Sequence, residues 1–122
     1  HLREDGRAAD PIVRDRIAVL ACEAETARLL SLRAIMPRAD GAAPLIEAAV
    51  GKVFSTELGE RLAQTALDLV GPRALLTRGE KGVPMDGAID QLLRQAIMMV
   101  IGGGTAEVQR NMIAQRGLEL PR

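Results

Sequence analysis

Apolar residues recur at three- and four-residue steps from Val13 through Ile17, Leu20, Ala24, Ala27 and Leu30, a spacing that predicts an amphipathic helix. Asp10 is placed to cap it and Pro11 suits its first position, where a missing N–H costs nothing. A second stripe, Leu29, Leu32, Ile35 and Met36, widens the apolar arc, so this helix is expected to be buried on more than one side. Pro37 and Asp40-Gly41 stop it.

A second long helix is predicted from Pro44 to about Val70 and Gly71, carrying Leu45, Val50, Val53, Leu58, Leu62 and Leu67. A separate stripe of Ala48, Gly51, Ser55, Gly59, Ala63 and Ala66 follows the same spacing. Each glycine inside a helix costs about 1 kcal/mol relative to alanine, which points to close approach of a backbone or ligand there. Helix–helix packing is the ordinary reading of such a stripe. Glu57 and Arg61 stand four residues apart and are expected to pair on the surface.

Gly71 to Met85 reads as a long loop, of the kind that is either functional or disordered. Asp86 is expected to cap a third helix bearing Ile89, Leu92, Leu93, Ala96, Ile97 and Val100, with Asp90 and Arg94 paired across one turn. Gly102 to Gly104 end it. Thr105 caps a fourth helix, with Val108, Met112 and Ile113 inward and Gly117 and Pro121 at its end. Strand alternation and internal repeats are absent from the pattern. The fold class expected is all-α, an antiparallel four-helix bundle.

Composition narrows the function classes. With 122 residues the chain suits one domain with a modest core. Sixteen basic side chains balance sixteen acidic ones, which argues against nucleic-acid binding. Phe54 is the only aromatic residue, so the chain offers no stacking platform. Cys22, the only cysteine, excludes an internal disulfide and fits a reducing, cytoplasmic compartment. Its apolar surroundings predict a buried small hydrophobe rather than a nucleophile. No apolar run approaches the roughly 18 residues of a membrane span. The first residues do not resemble a signal peptide, and a start on His1 reads as a truncation or a tag remnant. His1 is the only histidine, which gives metal chemistry little support.

The run Gly102-Gly-Gly-Thr105 is the chemically distinctive part. Glycines before a helix let several N–H groups converge on one spot, and the helix dipole favours an anion there. A phosphate, a carboxylate or nothing at all could occupy it. Glu107 sits in the first turn, where its charge is favourable but competes with a bound anion.

The last stretch, Gly102 to Arg122, closely resembles the C-terminal signature of the flavin-dependent acyl-CoA dehydrogenases. Upstream pieces agree in order: Pro11-Ile-Val-Arg-Asp-Arg-Ile-Ala18, Lys52-Val-Phe-Ser-Thr-Glu-Leu58, Gly71, and Arg94 nine residues before Gly103. The resemblance implies a subunit with an N-terminal helical domain, a β-domain and a C-terminal bundle, with residues 1–122 forming the bundle and the other two domains lying outside this chain. It implies FAD bound between β-domain and bundle, with a neighbouring subunit contributing, in a homo- or hetero-oligomer. The implied reaction desaturates an acyl-CoA at Cα–Cβ: a carboxylate removes the α-proton, the β-hydride passes to flavin, and an electron-transfer flavoprotein takes the electrons. Thr105, Glu107 and Gly104 would lie near FAD, and the Gly103–Gly104 backbone near the thioester.

Two departures from the family pattern matter. Many relatives carry a catalytic Glu in Tyr-Glu-Gly-Thr, and that position is Gly103 here, so the chain holds no catalytic residue of its own. The base would come from a helix upstream of His1, as in the isovaleryl- and long-chain-like branches, or from a partner in a mixed oligomer. The family's Gln-x-x-Gly-Gly-x-Gly turn, which touches FAD across the dimer, reads Asp68-Leu-Val-Gly-Pro-Arg-Ala74. Asp68, Gly71 and Arg73 are its cofactor-facing candidates, with Arg73 expected to offset the Asp68 charge. Residues 1–122 alone are expected to be inactive. The rival readings are a helical oligomerisation module and a bundle that binds a phosphate ligand by itself.

Overall fold

The second helix is the axis around which the others pack. The structure, a computed structural model, describes residues 6–37 and 39–121; His1 lies outside them. Its helices are α1 (Pro11–Ile35), α2 (Leu45–Val70), α3 (Ala88–Ile101) and α4 (Ala106–Met112), the last continued by a π turn at Ile113–Gly117. Short 3₁₀ turns occupy Arg7–Ala9, Gly71–Leu75 and Pro84–Gly87. No strand forms among the described residues, and the fold is the all-α bundle expected.

Contacts fix the directions. Arg16 on α1 meets Asp68 on α2, Glu23 meets Arg61, and Leu30 meets Gly51, so α1 and α2 run antiparallel. Glu57 meets Arg110, and Ile46 lies beside Gly117, so α4 runs antiparallel to α2 as well. Residue choice explains the first boundary: the Asp10 carboxylate accepts from the Ile12 N–H at 2.8 Å, with Pro11 opening the helix. The α1 chain leaves at Met36 and Pro37 as expected.

The core is narrow and rich in alanine. Buried apolar residues are Val13, Leu58, Leu69 and Ile89 with Ala49, Ala63, Ala74, Ala96 and Ala106. Small side chains let the helices close on α2; at Gly51 a Cβ would stand in ordinary contact, 3.7 Å from the Leu30 backbone. Gly59, on the same stripe, has nothing within 4 Å of a Cβ. Neither position therefore requires glycine for space: a Cβ would be in ordinary contact at Gly51 and in open space at Gly59.

Several expectations fail, for identifiable reasons. Helix α1 is not buried on more than one side. Only Val13 is buried, while Ile17, Leu29, Leu32, Ile35 and Met36 are exposed, because α2 is the only long helix packed closely against it. Cys22 is exposed on the same bare surface rather than buried. Leu45 in the first turn of α2, Ile97 on α3 and Val108 on α4 also face outward. On α4 the buried positions are Ala106 and Gln109.

Glu57 and Arg61 do not pair with each other. Glu57 accepts from Arg110, and Arg61 Nε donates to Glu23 at 3.1 Å while its guanidinium lies 5.9 Å from the Phe54 ring centre. Partners on neighbouring helices outcompete the local one. Asp90 and Arg94 do pair, at 3.0 Å.

Asp86 does not cap α3. The chain enters through three successive left-handed residues, Met85 (φ 50), Asp86 (φ 55) and Gly87 (φ 82), and Asp86 turns to Arg78 at 3.0 Å. Gly87 is the N-cap residue. A Cβ on it would stand 2.7 Å from the Arg78 nitrogen, so the loop's return path requires glycine. The segment from Gly71 to Met85 is thus a loop with a 3₁₀ turn at each end.

Candidate functional site

The α3–α4 corner is built from both sides of the glycine run. Gly102 keeps its N–H on the Met98 carbonyl at 2.9 Å and then leaves the helix in an extended conformation. Gly103 and Gly104 follow at φ 72 and 95, backbone regions that side chains strain. Thr105 returns to extended geometry, and its hydroxyl accepts from the Val108 N–H at 3.5 Å, the cap the sequence predicts.

Four side chains outside the run hold the corner. Lys52 Nζ donates to the Val100 carbonyl at 3.1 Å, satisfying an orphan acceptor at the negative end of α3. Gln109, buried, donates its Nε2 to the Gly103 carbonyl at 3.0 Å. The Arg110–Glu57 ion pair ties the last turn of α4 to α2. Sequence reasoning missed Gln109. A long amide four residues after the cap was the available signal, since that position reaches back over the first turn.

The two glycines differ. At Gly103 a Cβ would meet nothing within 4 Å, so a ligand can approach the backbone there. At Gly104 a Cβ would stand 2.8 Å from Gln109 Nε2. Glu107, exposed, is held below the usual carboxylate range by its own backbone N–H and then by the Thr105 hydroxyl, with the charges of Arg110 and Lys52 adding to the effect. The carboxylate takes donors that a free anion at the helix start would need, which counts against a phosphate binder acting alone. Gly103 offers no proton acceptor.

The second candidate site, at the end of α2, is differently wired. Asp68 is exposed, and its carboxyl lies below its ordinary value because Arg16 donates at 2.7 Å and Gln64 at 2.9 Å. Arg73 does not offset that charge, as the sequence suggested; it donates to the Gly82 carbonyl at 2.7 Å. Arg16, distant in sequence, does so instead. Gly71 ends α2 at φ 73 with nothing within 4 Å of a Cβ. Sixteen residues of helix separate Asp68 from Lys52, so the two sites stand about 24 Å apart along α2.

An open apolar groove of about 660 Å³ lies between α1, α2 and the Met85 turn, lined by Ile17, Leu20, Leu62, Leu69, Met85 and Ile89 among others. It holds no ionisable group. Among the described residues there is no cluster of metal-ligating side chains, and no helix is long and apolar enough to cross a membrane.

Comparisons with known proteins agree on one family. The family model for the acyl-CoA dehydrogenase C-terminal domain matches residues 2–118. Acyl-CoA dehydrogenase FadE26 of Mycobacterium tuberculosis is 34% identical over 86 residues, covering 70% of this chain and 21% of that protein. The solved Tcur3481-Tcur3483 steroid ACAD superposes with a TM-score of 0.89 at 30% identity, covering 99% of this chain and 32% of the other. A structure of the ChsE4-ChsE5 complex from Mycobacterium tuberculosis gives 0.82 at 28% identity, covering 93% and 29%. The chain thus spans about a fifth to a third of the proteins it matches. On its sequence match and its fold, the chain belongs to the acyl-CoA dehydrogenase family, matching the C-terminal helical domain of its members.

Proposed function

We propose that this domain serves a FAD-dependent enzyme that desaturates an acyl-CoA at Cα–Cβ, within a mixed oligomer whose partner completes the site. The observation that carries this reading is the α3–α4 corner. Gly103 has a left-handed backbone open to approach, at the position where many relatives carry a catalytic carboxylate. The corner fits a flavin and thioester because close approach is unobstructed at Gly103, with Gly104, Thr105 and Glu107 beside it.

FAD, when bound, supplies the hydride acceptor for the desaturation. The chain's own residues do the positioning. The Gly103–Gly104 backbone faces the thioester, and Thr105 and Glu107 shape the flavin side of the corner. Asp68, Gly71 and Arg73 form a separate surface facing the cofactor of a neighbouring subunit. The distance between the two sites along α2 supports that division. The Asp68 charge is already matched by Arg16, so the turn presents a neutral pair to a cofactor. The proton acceptor lies outside residues 1–122, on an upstream helix or on the partner.

Two structural neighbours carry paired protein names, which supports a hetero-oligomer, and one is titled a steroid ACAD, which supports a steroid acyl-CoA substrate. An electron-transfer flavoprotein is the proposed electron acceptor, in the cytoplasm. The test is expression of the full reading frame with its candidate partner, reading bound-flavin absorbance and its bleaching by steroid and straight-chain acyl-CoAs. Bleaching by the steroid thioester is expected. A parent without flavin or dehydrogenase activity, alone and with its partner, overturns the proposal.

A second reading, a non-catalytic subunit or oligomerisation module, is favoured by exposed Ile97, Met98, Met99 and Ile101 on α3. Large apolar side chains gathered on one helix surface mark interaction sites. Flavin that binds only to the partner, with sedimentation showing a stable complex, would favour this reading.

A further inference from the structure

We infer that Gln109 is the positioning residue of the glycine corner, fixing the Gly103 carbonyl and through it the backbone that faces the ligand. The functional half of this inference rests on the proposed flavin and thioester site; the structural half does not. Consecutive glycines restrict their own dihedrals least of all residues, so a three-glycine connection needs an external restraint to keep one shape. The helix ends do not supply it. The α3 end is satisfied by Gly102 N–H on Met98 and Lys52 on Val100, and the α4 start by Thr105 and Glu107. Between them, the carbonyl of Gly103 is held by the Gln109 amide at 3.0 Å.

Burial makes that bond consequential. Gln109 is 9% exposed, so a displaced carboxamide would find little water to replace its partner. Gly104 gives independent support. A Cβ on it would stand 2.8 Å from the same Nε2, so a side chain at 104 would push the amide away from its present position on Gly103. Gln109 and Gly104 form an interlock. Gly103 remains free of neighbours on its outer side, which leaves its restrained backbone accessible. Gln109 touches neither cofactor nor substrate in this scheme; it acts through the glycine it holds.

The test uses the full-length protein with its partner. Gln109→Glu keeps the side chain's shape but turns a carboxylate toward the Gly103 carbonyl; Gln109→Met removes the donor at similar volume. Exchange of the bonded amides that flank the corner, Gly102, Val108 and Gln109, should accelerate about five- to tenfold in both, the loss expected for one buried hydrogen bond, with α1 and α2 unchanged. In flavin-loaded enzyme the KM for acyl-CoA should rise severalfold, with a shift in the flavin absorption bands. Gly104→Ala should perturb the same amides, and combining it with Gln109→Met should cost less than the two effects summed. Unchanged exchange at Gly102, Val108 and Gln109, or strict additivity, overturns the interlock. Altered exchange with KM and flavin spectrum both unmoved overturns its role in ligand positioning. If wild-type protein binds no flavin, the proposed function falls, while exchange and additivity still decide the interlock.

Discussion

Helices α1 and α2 are nearly equal in length, 25 and 26 residues, and opposite in how they are held. Six α2 residues are buried, against Val13 alone on α1. The α2 helix is fixed by apolar packing from several directions. By contrast, α1 and the 3₁₀ turn before it lie on one neighbour through the Gly51 seam and a row of polar clamps: Arg7 of the turn on the Leu69 carbonyl, Arg16 on Asp68 and Glu23 on Arg61. Solvent-accessible ion pairs of this kind contribute little to stability. Helical periodicity alone therefore does not reveal whether an apolar stripe is covered within the same chain.

A core truncation separates the two helices most strongly. Leu58→Ala should destabilise by about 2–5 kcal/mol in urea unfolding, since Leu58 is only 4% exposed. A loss near zero would mean that α2 is not the axis. The seam comes next. Gly51→Leu should cost about 1–3 kcal/mol by overpacking against Leu30. Gly51→Ala should be neutral or stabilising by up to about 1 kcal/mol, because a Cβ fits at 3.7 Å and alanine favours helix.

On the outer face of α1, Leu29→Ser should change stability by no more than about 0.5 kcal/mol in this chain alone. In the assembled parent, a larger loss would reveal that Leu29 is covered there. The smallest effect belongs to the clamp. Asp68→Asn should weaken the docking of α1 slightly at neutral pH. The sign follows from the lowered carboxyl: its contribution is present above the ordinary value of 3.8 and fades as pH falls through the lower folded value. Stability curves of wild type and Asp68→Asn should therefore converge in acid; a gap that widens there would contradict the pairing.

Local signals were legible where local physics decides. Asp10, Pro11 and Thr105 mark helix starts because their side chains or rings act on adjacent backbone. The glycine run marks the α3–α4 corner for the same reason. Legibility ended where tertiary competition begins. Glu57 and Arg61 have the spacing of a helix pair, yet each has a better partner on another helix. Arg16 neutralises Asp68 across 52 positions, a choice that no local window contains. Ile97 and Val108 sit at inward spacing, but no neighbouring helix covers them. Asp86 resembles a cap in composition, while the left-handed path into Gly87 turns its side chain to Arg78. At the candidate site, the sequence located the glycines and left the role of Gln109 unseen, because a side chain folding back on the preceding turn has no signature in apolar periodicity.

The bare face of α1 has a colloidal consequence. The 122 residues carry no formal net charge, and their isoelectric point lies near 6.8. At neutral pH, copies of this domain would have no long-range repulsion to oppose contact between Leu29, Leu32, Ile35 and Met36 of one copy and the same residues of another. Solubility of the domain handled alone should therefore pass through a minimum near pH 6.8 and recover in mildly alkaline buffer.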